Sequence, residues 1–338
     1  MNSVIIKKIF VVAMVLILFS ANSLEAYAAE VKDTTDNYVK TFLAEQDKKV
    51  IIYNKAPLFN EKEEVVAILY QLLPAGYLVI EPETCRIVEY SWNIEYPYEE
   101  NGNNYYNGPL QYYSKENGLF QHKRTGRLVE SEQLQELRIN NVEWTQNFRS
   151  INSALLMSNY AYQNSLATPL RTFNENDDDR CGSVAASILF AYYDDAIDSD
   201  MVEDYLLSDP TGEIFSDYLK PHLEDIDGAS GSTTNELIAG MEWYLLVAGV
   251  YNTYEVYSAI SGSPVTYVNC IGYGRPVIID LDAHPSYHEH WVVGYGYQYN
   301  QLSNENTMFA LVNDGWGHNG IYINWGYIGD LVYLNKPD

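Results

Sequence analysis

The chain is short of basic residues, of cysteine and of long apolar runs. Lys and Arg together number 20 against 46 Asp and Glu, a formal net charge of −26 over 338 residues. A surface this acidic repels phosphate backbones and anionic bilayers, which disfavours general nucleic-acid binding and electrostatic attachment to membranes. With 3 Cys, a disulfide-stapled scaffold is excluded, and the odd number leaves at least one thiol free unless chains cross-link. Beyond the N-terminus no apolar stretch approaches the roughly 20 residues that a membrane-crossing helix needs. No internal repeat is evident. What the chain does have is 47% hydrophobic residues and 31 Tyr, enough to bury a sizeable core and to exclude a disordered or fibrous chain. Its length suggests about two domains.

At the N-terminus, Lys7 and Lys8 precede the apolar run Ile9 to Phe19, and Ala26-Tyr27-Ala28 follows as a small-x-small cleavage site. This pattern predicts a secretory signal peptide over residues 1–28 and a secreted, extracellular protein. Disulfides are possible in that compartment, so a free thiol there calls for a role.

Residues 29–150 read as a small β-rich domain. A helix is expected around Tyr38 to Ala44 and a strand at 49–53. Val65 to Leu73, Tyr77 to Ile80 and Cys85 to Tyr90 then form an antiparallel meander turned at Pro74-Ala75-Gly76. The Tyr-, Asn- and Gly-rich stretch 93–126 reads as exposed hairpins, with turns at Asn101-Gly102 and Asn107-Gly108-Pro109. Residues 128–165 read as a connecting segment, with the domain boundary near 150. In 151–338, Val184, Ala185, Ile188, Leu189 and Tyr192 recur at helical spacing in a buried helix that begins at Cys181 or Gly182. Residues 200–249 read as further helices, one capped at Thr233 to Glu236. Strands are expected at Val265 to Asn269, Pro276 to Leu281, His290 to Tyr297, Thr307 to Val312, Gly320 to Trp325 and Asp330 to Leu334. Helices followed by a run of strands predict an α+β fold.

Three segments carry chemistry. Cys181 stands where a polar loop meets a helix N-terminus, and the positive end of the helix dipole favours a thiolate there. The preceding Asp177-Asp178-Asp179 opposes that effect; it reads as a solvated loop, with a calcium site as the alternative. His290 opens a strand and is suited to take a proton from a thiol. His284 and His288 lie close to it, but their spacing matches no zinc signature, so no metal is expected. Asn313 and Asp314 in "LVNDGWG" can supply the group that orients the imidazole, or simply a hairpin turn. Adjacent residues on a strand face opposite ways, so only one of the two can reach the ring.

A Cys opening a helix, a His opening a strand and an Asn beside Gly-Trp-Gly, in that order, resemble the papain-like cysteine peptidases. "HWVVGYG" and "NDGWGHNGIYI" look like the His and Asn segments of that superfamily. "CGSVAA" is most similar to the streptopain family and to the peptidases that process double-glycine leaders; the second Cys found shortly after the nucleophile in papain is absent. "APLFNEKEEVVAILYQLLPAGYLVIEPE" resembles the propeptide of streptopain-type zymogens. The resemblance implies a β-rich prodomain at 29–150 and a papain-like catalytic domain at 151–338. It also implies a protein or peptide substrate, an intramolecular propeptide and no cofactor. Cys181 would be the nucleophile, His290 the general base and Asn313, rather than Asp314, its orienting partner, with Trp316 as a shield. These families usually carry a Gln six residues before the nucleophile as an oxyanion donor. Here that position is Glu175, whose carboxylate cannot donate; Asn174 and Asn176 flank it and could donate instead, and Asn176 with the Cys181 N–H is the expected pair. Two rivals remain open: a papain-like binding or adhesion protein that has lost catalysis, and a metalloenzyme built on the His cluster.

Overall fold

The computed structural model describes residues 34–46, 48–94, 98, 103–132, 134, 163–174, 180–223, 232–259, 262–281, 290–300 and 307–336. The signal-peptide segment 1–28, the Asn101-Gly102 turn and the boundary expected near 150 lie outside them. The fold is α+β. Five helices, α1 (34–45), α2 (Cys181–Ala196), α3 (Glu213–Leu223), α4 (Thr234–Val247) and α5 (Pro264–Gly272), accompany one large mixed sheet among the described residues. No helix of the described residues is long and apolar enough to cross a membrane.

The N-terminal strands are β1 (Ile51–Phe59), β2 (Val65–Leu73), β3 (Tyr77–Glu81), β4 (Arg86–Ser91), β5 (Asn104–Tyr106), β6 (Tyr112–Glu116), β7 (Leu119–His122) and β8 (Leu128–Val129). β1 to β4 form the expected meander, with β1 and β5 the one parallel pair described in the sheet. Gly76 makes the β2–β3 turn possible: its φ is +104°, and a Cβ there would lie 2.3 Å from the Ser91 carbonyl oxygen. The C-terminal strands are β9 (Gln163–Ser165), β10 (Glu255–Ala259), β11 (Val277–Leu281), β12 (His290–Asn300), β13 (Thr307–Asn313), β14 (Asn319–Asn324) and β15 (Leu331–Asn335). They run in the order β10-β15-β11-β12-β13-β14, with β9 on β12.

The two groups are joined edge to edge. β14 pairs with β4, matching Ile321 with Ser91, Tyr322 with Tyr90 and Ile323 with Glu89. Side chains tie the seam further: Asn324 Nδ2 donates to the Ile87 carbonyl (2.7 Å), Ser91 Oγ to the Gly320 carbonyl (2.8 Å) and Tyr90 Oη to Gln298 Oε1 (3.1 Å). One apolar core draws on both sides, with Leu69, Tyr77 and Val79 in the same cluster as Ile188, Trp291 and Val312. α2 runs through that core against α3, α4, β11 and β12. Its buried Ser187 is satisfied by its own helix, donating to the Val184 carbonyl at 2.8 Å.

Two expectations need correction, and one strand was not expected. Val265 to Asn269 is helical, within α5, not a strand. Ser263 caps that helix by accepting from the Thr266 N–H (3.3 Å) and Pro264 fits its first turn; a short apolar run carries no period by which to tell the two apart. β10 escaped the sequence reading because it is a polar edge strand paired only with β15. The stretch 93–126 is not made of exposed hairpins: Tyr105, Tyr106, Leu110, Tyr112 and Tyr113 are all buried. Their hydroxyls are what make this possible. Tyr112 and Tyr106 donate to the buried Glu89 carboxylate, which also takes the Leu110 N–H (3.1 Å), and Tyr77 and Tyr112 share a 2.9 Å hydrogen bond.

Candidate active site

Cys181 is the first residue of α2. Arg180 precedes it as the N-cap, makes no side-chain cap, and forms an ion pair with Asp217 of α3 (2.5 Å). Gly182 lets the helix start sit close to its neighbours. A Cβ there would lie 2.2 Å from Ser232 Oγ and 3.7 Å from Trp291 Cδ1, so even alanine would force a shift. Trp291 is in turn held by its Nε1–H on the Ser232 carbonyl (2.7 Å). The residue after Cys181 thus rests against the residue after His290, which brings the helix start and the start of β12 together.

His290 pairs with Leu281 across β11. Its Nε2 lies 2.9 Å from the main-chain carbonyl oxygen of Asp314. A carbonyl can only accept, so Nε2 carries the hydrogen and Nδ1 keeps a lone pair. Trp316 stacks on the ring at 3.9 Å between centroids and 10° between planes. Burial pushes the imidazole pKa down to about 4, against the opposing pull of the Asp314 carbonyl. The ring is therefore neutral over the ordinary physiological range.

Asn313 does not occupy its expected place. Its Nδ2 donates to the Arg171 carbonyl (3.2 Å) and its Oδ1 accepts from the Gly315 N–H (2.9 Å). Among the described residues the imidazole's orienting acceptor is the Asp314 main chain, one residue further on. The β13–β14 register shifts at Asn313, and the chain then turns through Gly315 (φ +74°) and Gly317 (φ +87°). Strand alternation, on which the expectation rested, is interrupted at that residue. Instead, Asn313 holds the segment that leads toward Cys181. That segment is anchored twice more, by Arg171 on Asp195 of α2 (two 2.8 Å bonds) and by the Gly317 N–H on the Phe173 carbonyl (3.0 Å). Asn174 forms a β-bridge with Trp316. Glu175, the expected oxyanion donor Asn176, the Asp177–Asp179 run, His284 and His288 lie outside the described residues. Among the described residues no group of three or more His, Cys, Asp or Glu is arranged to hold a metal.

Residues of the N-terminal region that sequence reasoning missed also reach the site. His122 of β7 lies on Trp316, at 5.4 Å between ring centroids, and Arg124 Nη1 donates to His318 Nε2 (3.2 Å). These contacts span nearly two hundred residues, so no local pattern announces them. Only His318, four residues after Asp314 in a Gly-rich turn, gives a local hint.

Among the described residues no disulfide joins Cys85, Cys181 or Cys270. Cys181 and Cys270 are equally buried, each 6% exposed, so access does not separate them; chemistry does. Cys270 sits in α5 with its thiol pushed up to about 11 by burial. Mass spectrometry after brief iodoacetamide treatment at neutral pH is expected to find Cys181 modified well ahead of Cys270; the reverse order would remove Cys181 as the reactive thiol.

No protein-family model matches the chain, and no curated protein matches it.

Proposed function

We propose that the chain is a cysteine peptidase of papain-like type, exported with residues 1–28 as its signal peptide and made as a latent precursor. The observation that carries this reading is the 2.9 Å contact between His290 Nε2 and the Asp314 carbonyl oxygen. The Nε2–H is given to that carbonyl, so a neutral imidazole keeps its Nδ1 lone pair beside the helix that Cys181 opens. In this reading Nδ1 takes the thiol proton as Cys181 attacks the scissile carbonyl, then returns it to the leaving amine. The Cys181 N–H, at the start of α2, donates to the oxyanion in this reading, with Asn176 as its companion. Asn313 supports the loop before Cys181 and the turn after itself. The N-terminal region reaches the site through His122 on Trp316, the ring that stacks on His290, and is read as the intramolecular propeptide. No cofactor is required.

A second reading, a papain-like binding protein without catalysis, is favoured by one observation: the Asn313 amide is engaged by Arg171 and Gly315 rather than by the imidazole. Purified wild type and Cys181→Ala separate the two. Wild type is expected to hydrolyse an unfolded protein substrate, to be stopped by a thiol alkylator and not by a chelator, and to convert itself to a fragment of about 20 kDa, the size of an ordinary domain. Cys181→Ala is expected to remain the full-length precursor and to be inert. Hydrolysis that persists in Cys181→Ala, or that only a chelator stops, overturns the peptidase assignment.

A further inference from the structure

Asp314 is fully buried, and its carboxylate accepts three hydrogen bonds: the N–H groups of Trp316 (2.9 Å) and His318 (3.0 Å) on Oδ1, and His318 Nδ1 on Oδ2 (2.9 Å). The first of these fixes the backbone of the residue whose indole stacks on His290. Together they close the turn that aims the Asp314 carbonyl at His290 Nε2. One carboxylate thus governs two groups that touch the imidazole, the Asp314 carbonyl and the Trp316 indole. Beyond it, Arg124 Nη1 reaches His318 Nε2. A guanidinium can only donate, so His318 Nε2 accepts, its Nδ1 carries the hydrogen, and that hydrogen is given to Asp314. The polarity of the whole chain is thereby fixed, from Arg124 through His318 to the Asp314 carboxylate, with His290 on the carbonyl of the same residue.

We infer that Asp314 is the positioning residue of this site: its side chain shapes the 314–318 turn so that its own carbonyl selects the Nε2–H tautomer of His290, and Arg124 of the N-terminal region completes the network through His318. The inference rests on the peptidase reading for its consequence, since the selected tautomer is the one that leaves Nδ1 free as a base. It differs from a triad partner in kind. A triad Asn or Asp touches the imidazole with its side chain, whereas here the side chain acts through the backbone, so the charge itself is dispensable and the acceptor geometry is not.

The test uses the full-length protein with ¹⁵N-labelled histidine, in which ring nitrogen shifts report each tautomer, alongside the pH profile of Cys181 alkylation by iodoacetamide. In wild type His290 is expected as a single Nε2–H tautomer. Asp314→Ala is expected to mix the tautomers and to slow alkylation at neutral pH by about 100-fold, the low end of what a lost general base costs. Asp314→Asn, which keeps an acceptor for both backbone N–H groups, is expected to restore the single tautomer. Should Asp314→Ala fail to fold, His318→Leu removes one of the three bonds, and a measurable Nδ1–H population of His290 is expected there as well. An unchanged Nε2–H tautomer and alkylation profile in whichever of these two variants folds overturns the inference. The peptidase reading fails differently: Cys181 would be inert in a wild type whose His290 tautomer is as expected.

Discussion

Tyr90→Ala is expected to destabilise the chain by about 3–5 kcal/mol, the cost of removing a large aromatic from a packed core. Tyr90 is fully buried at the seam. Its ring stacks on Tyr322 of β14 at 4.6 Å and 5°, and meets Phe42 of α1 and Phe309 of β13 edge-on at 5.2 Å and 5.1 Å. Its hydroxyl holds Gln298, which passes a 2.6 Å hydrogen bond to Gln46. Alanine would remove contacts made to residues before 50 and after 300 alike. Urea denaturation followed by tryptophan fluorescence should give one transition in wild type, moved to lower urea in the variant. Tyr90→Phe, which keeps the ring and loses the hydroxyl, should cost about 1 kcal/mol. Two separate wild-type transitions, with Tyr90→Ala shifting only one of them, would contradict a core that unfolds as a unit.

The second large effect is a pH dependence. Burial raises the Glu89 carboxyl from its usual 4.5 to about 7, only partly offset by its bonds from Tyr112, the Leu110 N–H and Tyr106. Between those two values the folded protein keeps a proton that the unfolded chain has released. The stabilisation is therefore fully present below about 4.5 and is lost as pH rises through about 7. A shift of that size corresponds to about 3 kcal/mol. Wild-type stability is expected to decline by that order from pH 4.5 to above 7, beyond the contribution of other groups. Glu89→Gln should lose this component and become the more stable protein at pH 8. Parallel stability–pH curves for the two proteins would show that Glu89 does not titrate in this window.

Much of the fold was legible because its signals are local. The apolar runs of β2, β3 and β11, the Thr233–Glu236 capping box of α4 and the helical spacing after Cys181 each fix their element within a few residues. The failures share a physical cause. The Tyr-rich stretch appeared exposed because tyrosine counts as polar until its hydroxyl finds a partner, and that partner, Glu89, lies at least seventeen residues away. α5 depends on a Ser cap and an N-terminal Pro that a five-residue window does not weigh. At the candidate site, the placing of Cys181 at a helix start and His290 at a strand start was legible. The orienting group was not, because a main-chain carbonyl carries no residue-specific mark, and because the register shift at Asn313 breaks the alternation by which strand faces are assigned.

The β4–β14 pairing bears on what a proteolytic cut can accomplish. A single break in the backbone between β8 and β9 leaves both products in one continuous hydrogen-bonded ladder, with the Tyr90 aromatic cluster and the Arg124–His318 contact still in place. Denaturing electrophoresis would then resolve two bands while gel filtration returned one particle. Shedding the N-terminal strands would instead strip β14 of its neighbour and leave an open edge flanked by the apolar faces of Ile321 and Ile323, a template for pairing with other chains. Nicking and release are accordingly distinct events in this architecture, and the second demands either a new cover for β14 or a tolerance for self-association.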